Sequence, residues 1–246
     1  MTITTIEQLE ALRRVNRLTT KLLLELEAYA KPGMTTRELD DYARAYIAKL
    51  GGEPVFETQA GFPGAINANP NDVVVHGVPG DYVLRDGDIL TIDTGILLDG
   101  FVGDAATTFA IGEPTPRHQH LMDVTKAAMN DAIAVATTGR RVGDVSWAMQ
   151  SRAEKGGCSV ARGFCGHGLG MRMWEEPNVP FAGRPGTGPV LTEGMVFTVE
   201  PVVIEGHHEY YMANEWEART NDGSWVAQYE RAIMVTGEGG VVLSED

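Results

Sequence analysis

Disulfides, membrane spans and basic surfaces are what this sequence does without. Its 246 residues include only two cysteines, Cys158 and Cys165, so no disulfide framework staples the fold. No apolar run approaches the ~18–20 residues needed to cross a bilayer. The first ten residues mix Thr, Glu and Gln and lack the basic-then-apolar order of a secretory signal. Together these absences predict a soluble, cytoplasmic protein with no membrane partner. Cations are scarce as well: 20 Lys and Arg face 34 Asp and Glu, a formal net charge of −14. A surface this acidic repels phosphate backbones, which argues against nucleic-acid binding. Low-complexity segments, flexible linkers and Gly-rich phosphate loops are missing too. What is present is an ordinary globular balance, 43% apolar and 22% charged, enough for one sizeable domain.

The first third reads as helical. Thr5-Ile6-Glu7-Gln8 has capping-box spacing, and Leu9, Leu12, Val15, Leu22 and Leu26 follow on one face. Lys31-Pro32-Gly33 stops that helix. A second starts at Thr35-Thr36, with Glu38 three residues after Thr35, and ends at Gly51-Gly52. Two more helices are expected near Pro116–Thr137 and Gly143–Lys155. Alternation and β-branched content predict strands at Ile89–Leu98, Phe101–Ile111, Met195–Ile204 and Trp225–Thr236. The chain also repeats itself weakly. Asp86 to Asp93 and Glu193 to Glu200 share one pattern: acid, Gly, any residue, a strand run containing Thr, then acid. Gly33 pairs with Gly139, and Gly51-Gly52 with Gly156-Gly157, at nearly the same spacing. A single domain 1–246 made of two similar halves, about 1–112 and 113–246, is the expectation. Its strand-end acids would meet at a central seam.

Carboxylates carry the sharpest signal. Asp99-Gly100 is a favoured two-residue hairpin turn. Counting outward from it pairs Leu98 with Phe101 and Gly95 with Asp104, which sets Asp93 diagonal to Asp104 at ~7–8 Å. Two ionised acids facing a strand interior repel and lose hydration unless a cation lies between them. Taken alone, the hairpin also fits a pair of solvated acids on an open sheet face. The second half adds His167 among glycines (Gly166-His167-Gly168), Glu200 ahead of Pro201, and Glu230 inside a predicted strand. One imidazole and four carboxylates form a hard, oxygen-rich donor set suited to Mg, Mn, Fe, Co or Zn, typically as bridged pairs.

At these residues the sequence resembles the type I methionine aminopeptidases, small members of the pita-bread metallopeptidases. Asn71 to Pro79 is similar to the segment carrying that family's active-site histidine, here His76. Asp93, Asp104, His167, Glu200 and Glu230 match its five metal ligands. The resemblance implies an α+β pita-bread fold, a pseudo-twofold antiparallel sheet covered by helices. It also implies two divalent metal ions (Co, Mn, Fe or Zn) and peptide or nascent-chain N-termini as substrates of a monomer. Asp104 and Glu230 would bridge the ions, Asp93 would hold one, and His167 with Glu200 the other. Glu200 would accept a proton from water, and His76 would hydrogen-bond the departing amide.

The departures from the pattern concern substrate. Trp174 stands where the family has a second substrate-facing histidine, and an indole donates one hydrogen bond but accepts none. In the substrate pocket Phe62 keeps the family's aromatic character. Gln59 replaces an aromatic residue, and Asn67 replaces a small, often thiol-bearing one. An amide in an apolar pocket costs about 1–3 kcal/mol unless paired. Met173 and Trp216 would complete the wall. Three functions follow: an aminopeptidase releasing methionine, a specialised paralogue acting on another peptide or amide, and a non-catalytic binding module. His207-His208 reads as surface loop, His118 and His120 as solvated, and Cys165 as no nucleophile.

Overall fold

The computed structural model describes residues 1–245. Helices α1 (Ile6–Tyr29) and α2 (Thr36–Lys49) open the chain. The hydroxyl of Thr5 accepts from the Gln8 amide at 3.3 Å, capping α1 as its spacing predicts. The return arm differs: Gln8 Oε1 accepts from the Thr4 amide, one residue early. At α2 the box closes fully, with the Thr35 amide donating to Glu38 Oε2 at 2.7 Å and the Glu38 amide to Thr35 Oγ1. Buried Leu12, Leu22 and Leu26 hold α1 down, each contributing about 1.5–3 kcal/mol.

Strand β1 (Glu53–Pro54) and a π-helix over Phe56–Ala60 precede β2 (Ile66–Pro70) and β3 (Val73–Val75). The hairpin follows as β4 (Ile89–Leu98) and β5 (Phe101–Ala110). Helices α3 (Pro116–Val135) and α4 (Val142–Lys155) come next. The remainder is strand-rich: β6 (Ser159–Val160), β7 (Cys165–Gly168), β8 (Glu175–Pro180), β9 (Val196–Val199), β10 (Val202–Ile204), β11 (Tyr210–Met212), β12 (Ala218–Thr220), β13 (Val226–Gln228), β14 (Glu230–Val235) and β15 (Gly240–Val242).

Among the described residues, a nine-stranded sheet runs β1-β4-β5-β14-β9-β7-β8, with β2 also on β4 and β15 on β14. The hairpin register matches its expectation residue for residue, Leu98 opposite Phe101 and Gly95 opposite Asp104. Asp99 and Gly100 both take positive φ, 52° and 82°, as this tight turn requires. The other two long strands expected from sequence are each broken in two. β9 and β14 pair in the large sheet, whereas β10 and β13 pair in a separate three-stranded sheet with β6. The chain changes sheets at Glu200-Pro201 and again at Tyr229. Pro201 has no amide hydrogen to continue a ladder, and the Tyr229 hydroxyl donates to Thr108 O at 2.7 Å.

Helix α1 lies across β4 and β5, and α3 packs on α4 at the opposite end of the sheet. One apolar core forms beneath α1 and α2, a second beneath α3 and α4, and a third, with Leu12, Phe56, Phe62 and Met173, between them. The close seat of α1 depends on Gly103. A Cβ there would stand 2.6 Å from Thr19 Oγ1 and 2.8 Å from the Val15 backbone.

Candidate metal centre

Hairpin and sheet corner deliver their acids to one place. Asp93 comes from β4, Asp104 from β5, His167 from β7, Glu200 from the break after β9, and Glu230 from the first position of β14. Glu230 is opposite Ala106 and Arg231 opposite Val199, so β14 places its acid between the hairpin and the corner. Ligand atoms of Asp104, His167 and Glu230 all lie within 4.8 Å of one another, and all three residues are buried. His167 Nε2 is 3.5 Å from Asp104 Oδ2 and 3.8 Å from Glu200 Oε1. Asp93 and Glu200 are partly open to the cavity.

The electrostatics follow from crowding. Burial pushes Asp93 up to about 7 and Glu200 up to about 8. Burial also raises Asp104 and Glu230, and each is raised further by neighbouring carboxylates. Burial drives His167 down to about 4, so its ring is neutral near pH 7. Its Nδ1 lies 3.2 Å from Gly168 O, which fixes the proton there and leaves the Nε2 lone pair facing the acids. Asp93 Oδ1 and Asp104 Oδ1 are buried without a hydrogen-bond partner among the described residues. Four acids and a bare imidazole nitrogen are unstable company unless a cation neutralises them. The donor set is therefore the hard, oxygen-rich kind that holds divalent ions.

These groups form one end of a cavity of about 370 Å³. Phe56, Phe62, Met173 and Trp216 line its apolar end, with the Phe62 and Trp216 rings edge to face at 5.3 Å. His76 enters from a turn with positive φ, 56°. That turn is pressed against β2: the Gly77 amide donates to Asn69 Oδ1 at 2.7 Å, and a Cβ on Gly77 would stand 2.3 Å from Ala68 O. Solvent reaches the His76 ring through the cavity, yet protein crowds it enough to lower its pKa. Trp174 stands at the rim, half exposed, its ring 6.2 Å from that of His167.

The two amides that departed from the family pattern are both engaged. Asn67 lies in the wall and donates from Nδ2 to Asp93 Oδ2 at 3.1 Å. Gln59 does not line the cavity; its Oε1 accepts from the Met173 amide at 2.9 Å. Three supporting residues carried no weight in the sequence reading. Thr198 Oγ1 donates to Glu200 Oε1 at 2.6 Å and accepts from the His167 amide at 2.9 Å. Its place two residues before Glu200, on the same strand face, was the available signal. Asn16 Oδ1 on α1 accepts from the Asp104 amide at 3.2 Å, a polar residue inside the apolar stripe. Gln228, two residues before Glu230, is buried in the cavity wall. The remaining histidines lie elsewhere. His118 is less solvated than expected, stacked on Trp225 at 3.6 Å, and His120 Nε2 contacts Gly156 O at 2.9 Å.

A cavity with a carboxylate–imidazole end and an apolar end defines a metal centre built to work on a ligand that is part polar and part greasy. The chain matches the model of metallopeptidase family M24 over residues 10–237 and belongs to that family. It is 39% identical over 239 residues to the methionine aminopeptidase of Clostridium acetobutylicum, covering 96% of each chain. Crystal structures of the methionine aminopeptidases of Rickettsia prowazekii and Thermotoga maritima match it with TM-scores of 0.96 and 0.95, at 35% and 34% identity, each over 100% of both chains. The architecture is the α+β pita-bread fold expected from sequence. Among the described residues no helix is long and apolar enough to cross a membrane.

Proposed function

We infer that this chain is an aminopeptidase that hydrolyses the first peptide bond of a peptide or nascent chain and releases its N-terminal methionine. The carrying observation is a cavity lined both by the clustered Asp104, His167 and Glu230, with Asp93 and Glu200 beside them, and by Phe62, Met173 and Trp216. The names of its full-length relatives support the same reading. Divalent ions, when bound, supply Lewis acidity that polarises a carbonyl and makes a water more acidic. Asp93, Asp104, His167, Glu200 and Glu230 would hold two such ions. Glu200, held at Oε1 by Thr198, takes a proton from the attacking water on its other oxygen. His76, kept neutral, donates its ring N–H to the departing amide. Phe62, Met173 and Trp216 receive the apolar first side chain, and Gln59 positions Met173 from behind.

The protein acts as a monomer in the cytoplasm, without nucleic acid. Its two halves, about 1–112 and 113–246, are read as similar units, supported by matching positive φ at Gly33 and Gly139 and at Gly87 and Gly194. Trp174 at the rim favours a second reading, a specialised paralogue with another first residue. A peptide panel varied at the first residue, run with Mn, Co, Fe and Zn, separates these. Met-peptide turnover is the expected result. Cleavage confined to other first residues selects the paralogue. Failure to bind two equivalents of any divalent ion selects a binding module.

A further inference from the structure

Phe56, Ala60, Phe62 and Asn67, four residues of the cavity lining, all come from the stretch 56–67. Its first part is the π-helix, which has no side-chain cap at its start and ends at Gly61 in the left-handed conformation, φ 71°. A single turn of this kind has little stability of its own. Residues 61–65 carry no regular structure, and the ladder with β4 begins only at Ile66. Helix α2 grips this stretch at both ends. Near its start, Glu57 is outside the lining and pairs with Arg44 Nη1. Arg44 Nε donates to Asp40 Oδ2, one helical turn back, at 2.7 Å. Near its end, the Ala65 and Ile66 amides donate to Asp40 Oδ1 at 2.7 and 3.1 Å. Asp40 is 5% exposed, so these three donors satisfy a carboxylate that water barely reaches. The guanidinium fork is what lets one side chain reach two carboxylates at once.

Arg44 does not line the cavity, yet the π-helix it holds supplies Phe56 and packs that ring edge to face on Phe62 at 6.4 Å. The width of an apolar pocket decides which side chains gain full contact there, and a wall free to move gives up that discrimination. We propose that Arg44 is a positioning residue for the apolar end of the cavity. By tying Glu57 to Asp40 it keeps Phe56 and Phe62 at a fixed spacing, and so sets the preference for an unbranched first side chain over a branched one. The inference rests on the aminopeptidase reading and deepens it, giving a residue outside the cavity a part in choosing the substrate.

Steady-state kinetics of the Mn-loaded protein test it, with two peptides that differ only in a first residue of Met or Leu. Glu57→Gln weakens the tie to the π-helix and leaves Arg44 on Asp40. Arg44→Met keeps an apolar stem and removes both contacts. In each variant KM for the Met peptide rises about three- to five-fold, the scale of a partly exposed ion pair, while kcat stays within about two-fold. The Met-over-Leu ratio of kcat/KM falls by a similar factor. Combining the two substitutions adds little to either, because both break one tie. Hydrogen exchange speeds up at the Gly61 and Phe62 amides, which donate to Glu57 O and Phe56 O. A lower Tm with an unchanged KM and Met-over-Leu ratio would make the tie merely structural and overturn the proposal, as would a fall confined to kcat or fully additive effects. Failure of the wild-type protein to release N-terminal methionine sinks the functional reading itself. Methionine release by the wild type with an unchanged ratio in both variants sinks only the role of Arg44.

Discussion

The hairpin that carries Asp93 and Asp104 and the corner that carries Glu200 reach the same cavity by opposite routes. In the hairpin, β4 and β5 run ten residues each in unbroken register, and the acids are held by continuous ladder. At the corner the ladder is interrupted, and Glu200 sits where the chain leaves one sheet for another. Regular backbone fixes the first pair; the second depends on a side chain, the Thr198 hydroxyl, to do what the ladder no longer does. Rigidity at the centre is thus inherited on one side and built locally on the other.

The largest test strikes the hairpin. Asp104→Ala removes a buried donor, and kcat/KM on a Met peptide is expected to fall by about 10³-fold or more, since such ions supply several kcal/mol. Loss of one equivalent of metal in a calorimetric titration accompanies it; retained activity would remove the bridging role. At the corner, Thr198→Val frees Glu200 and the His167 amide together, and a drop of about 10–100-fold in kcat or metal affinity is expected. A change under two-fold would show that the corner holds itself without the hydroxyl.

A third test asks whether both sides share one electrostatic burden. The folded pKa of Asp93 is raised to about 7 and that of Glu200 to about 8, above the ordinary values of an unfolded chain. The metal-free fold therefore holds protons that the unfolded chain has released. Its stability is greatest below about pH 4 with respect to these groups and is lost as pH rises through about 8. With a chelator, Tm from these groups should fall between about pH 5 and about pH 8.5, and added Mn should reverse the trend. A chelated protein whose Tm rises across that window would contradict the raised values. The smallest effect is expected at the rim, where Trp174→His should increase turnover of Met peptides a few-fold by adding a group able to accept as well as donate. An equal or lower rate would show that the indole does not limit the reaction.

Local chemistry was readable, and long-range partnership was not. Asp99-Gly100 and the alternation on either side of it specify the β4–β5 register without outside help. The breaks within the other two long strands are less legible. Pro201 signals the first, but nothing near Tyr229 announces the second, where the Gln228 amide and the Tyr229 hydroxyl both donate to Thr108 on another strand. The five donor residues stand out through residue type and glycine context. Gln59 and Asn67 do not declare their roles, since the atoms that engage them belong to Met173 and Asp93. An amide reads as a polar misfit in an apolar wall until its distant partner is known.

The bare Cα of Gly103 bears on how this chain can drift over generations. With Val15 and Thr19 so near, replacing it would lift α1 and tug on the Asn16 contact to the Asp104 amide. The position would then look invariant among descendants while touching neither ligand nor ion. Immutability there would be a record of architecture, and a survey ranking sites by constancy would misfile it as chemistry.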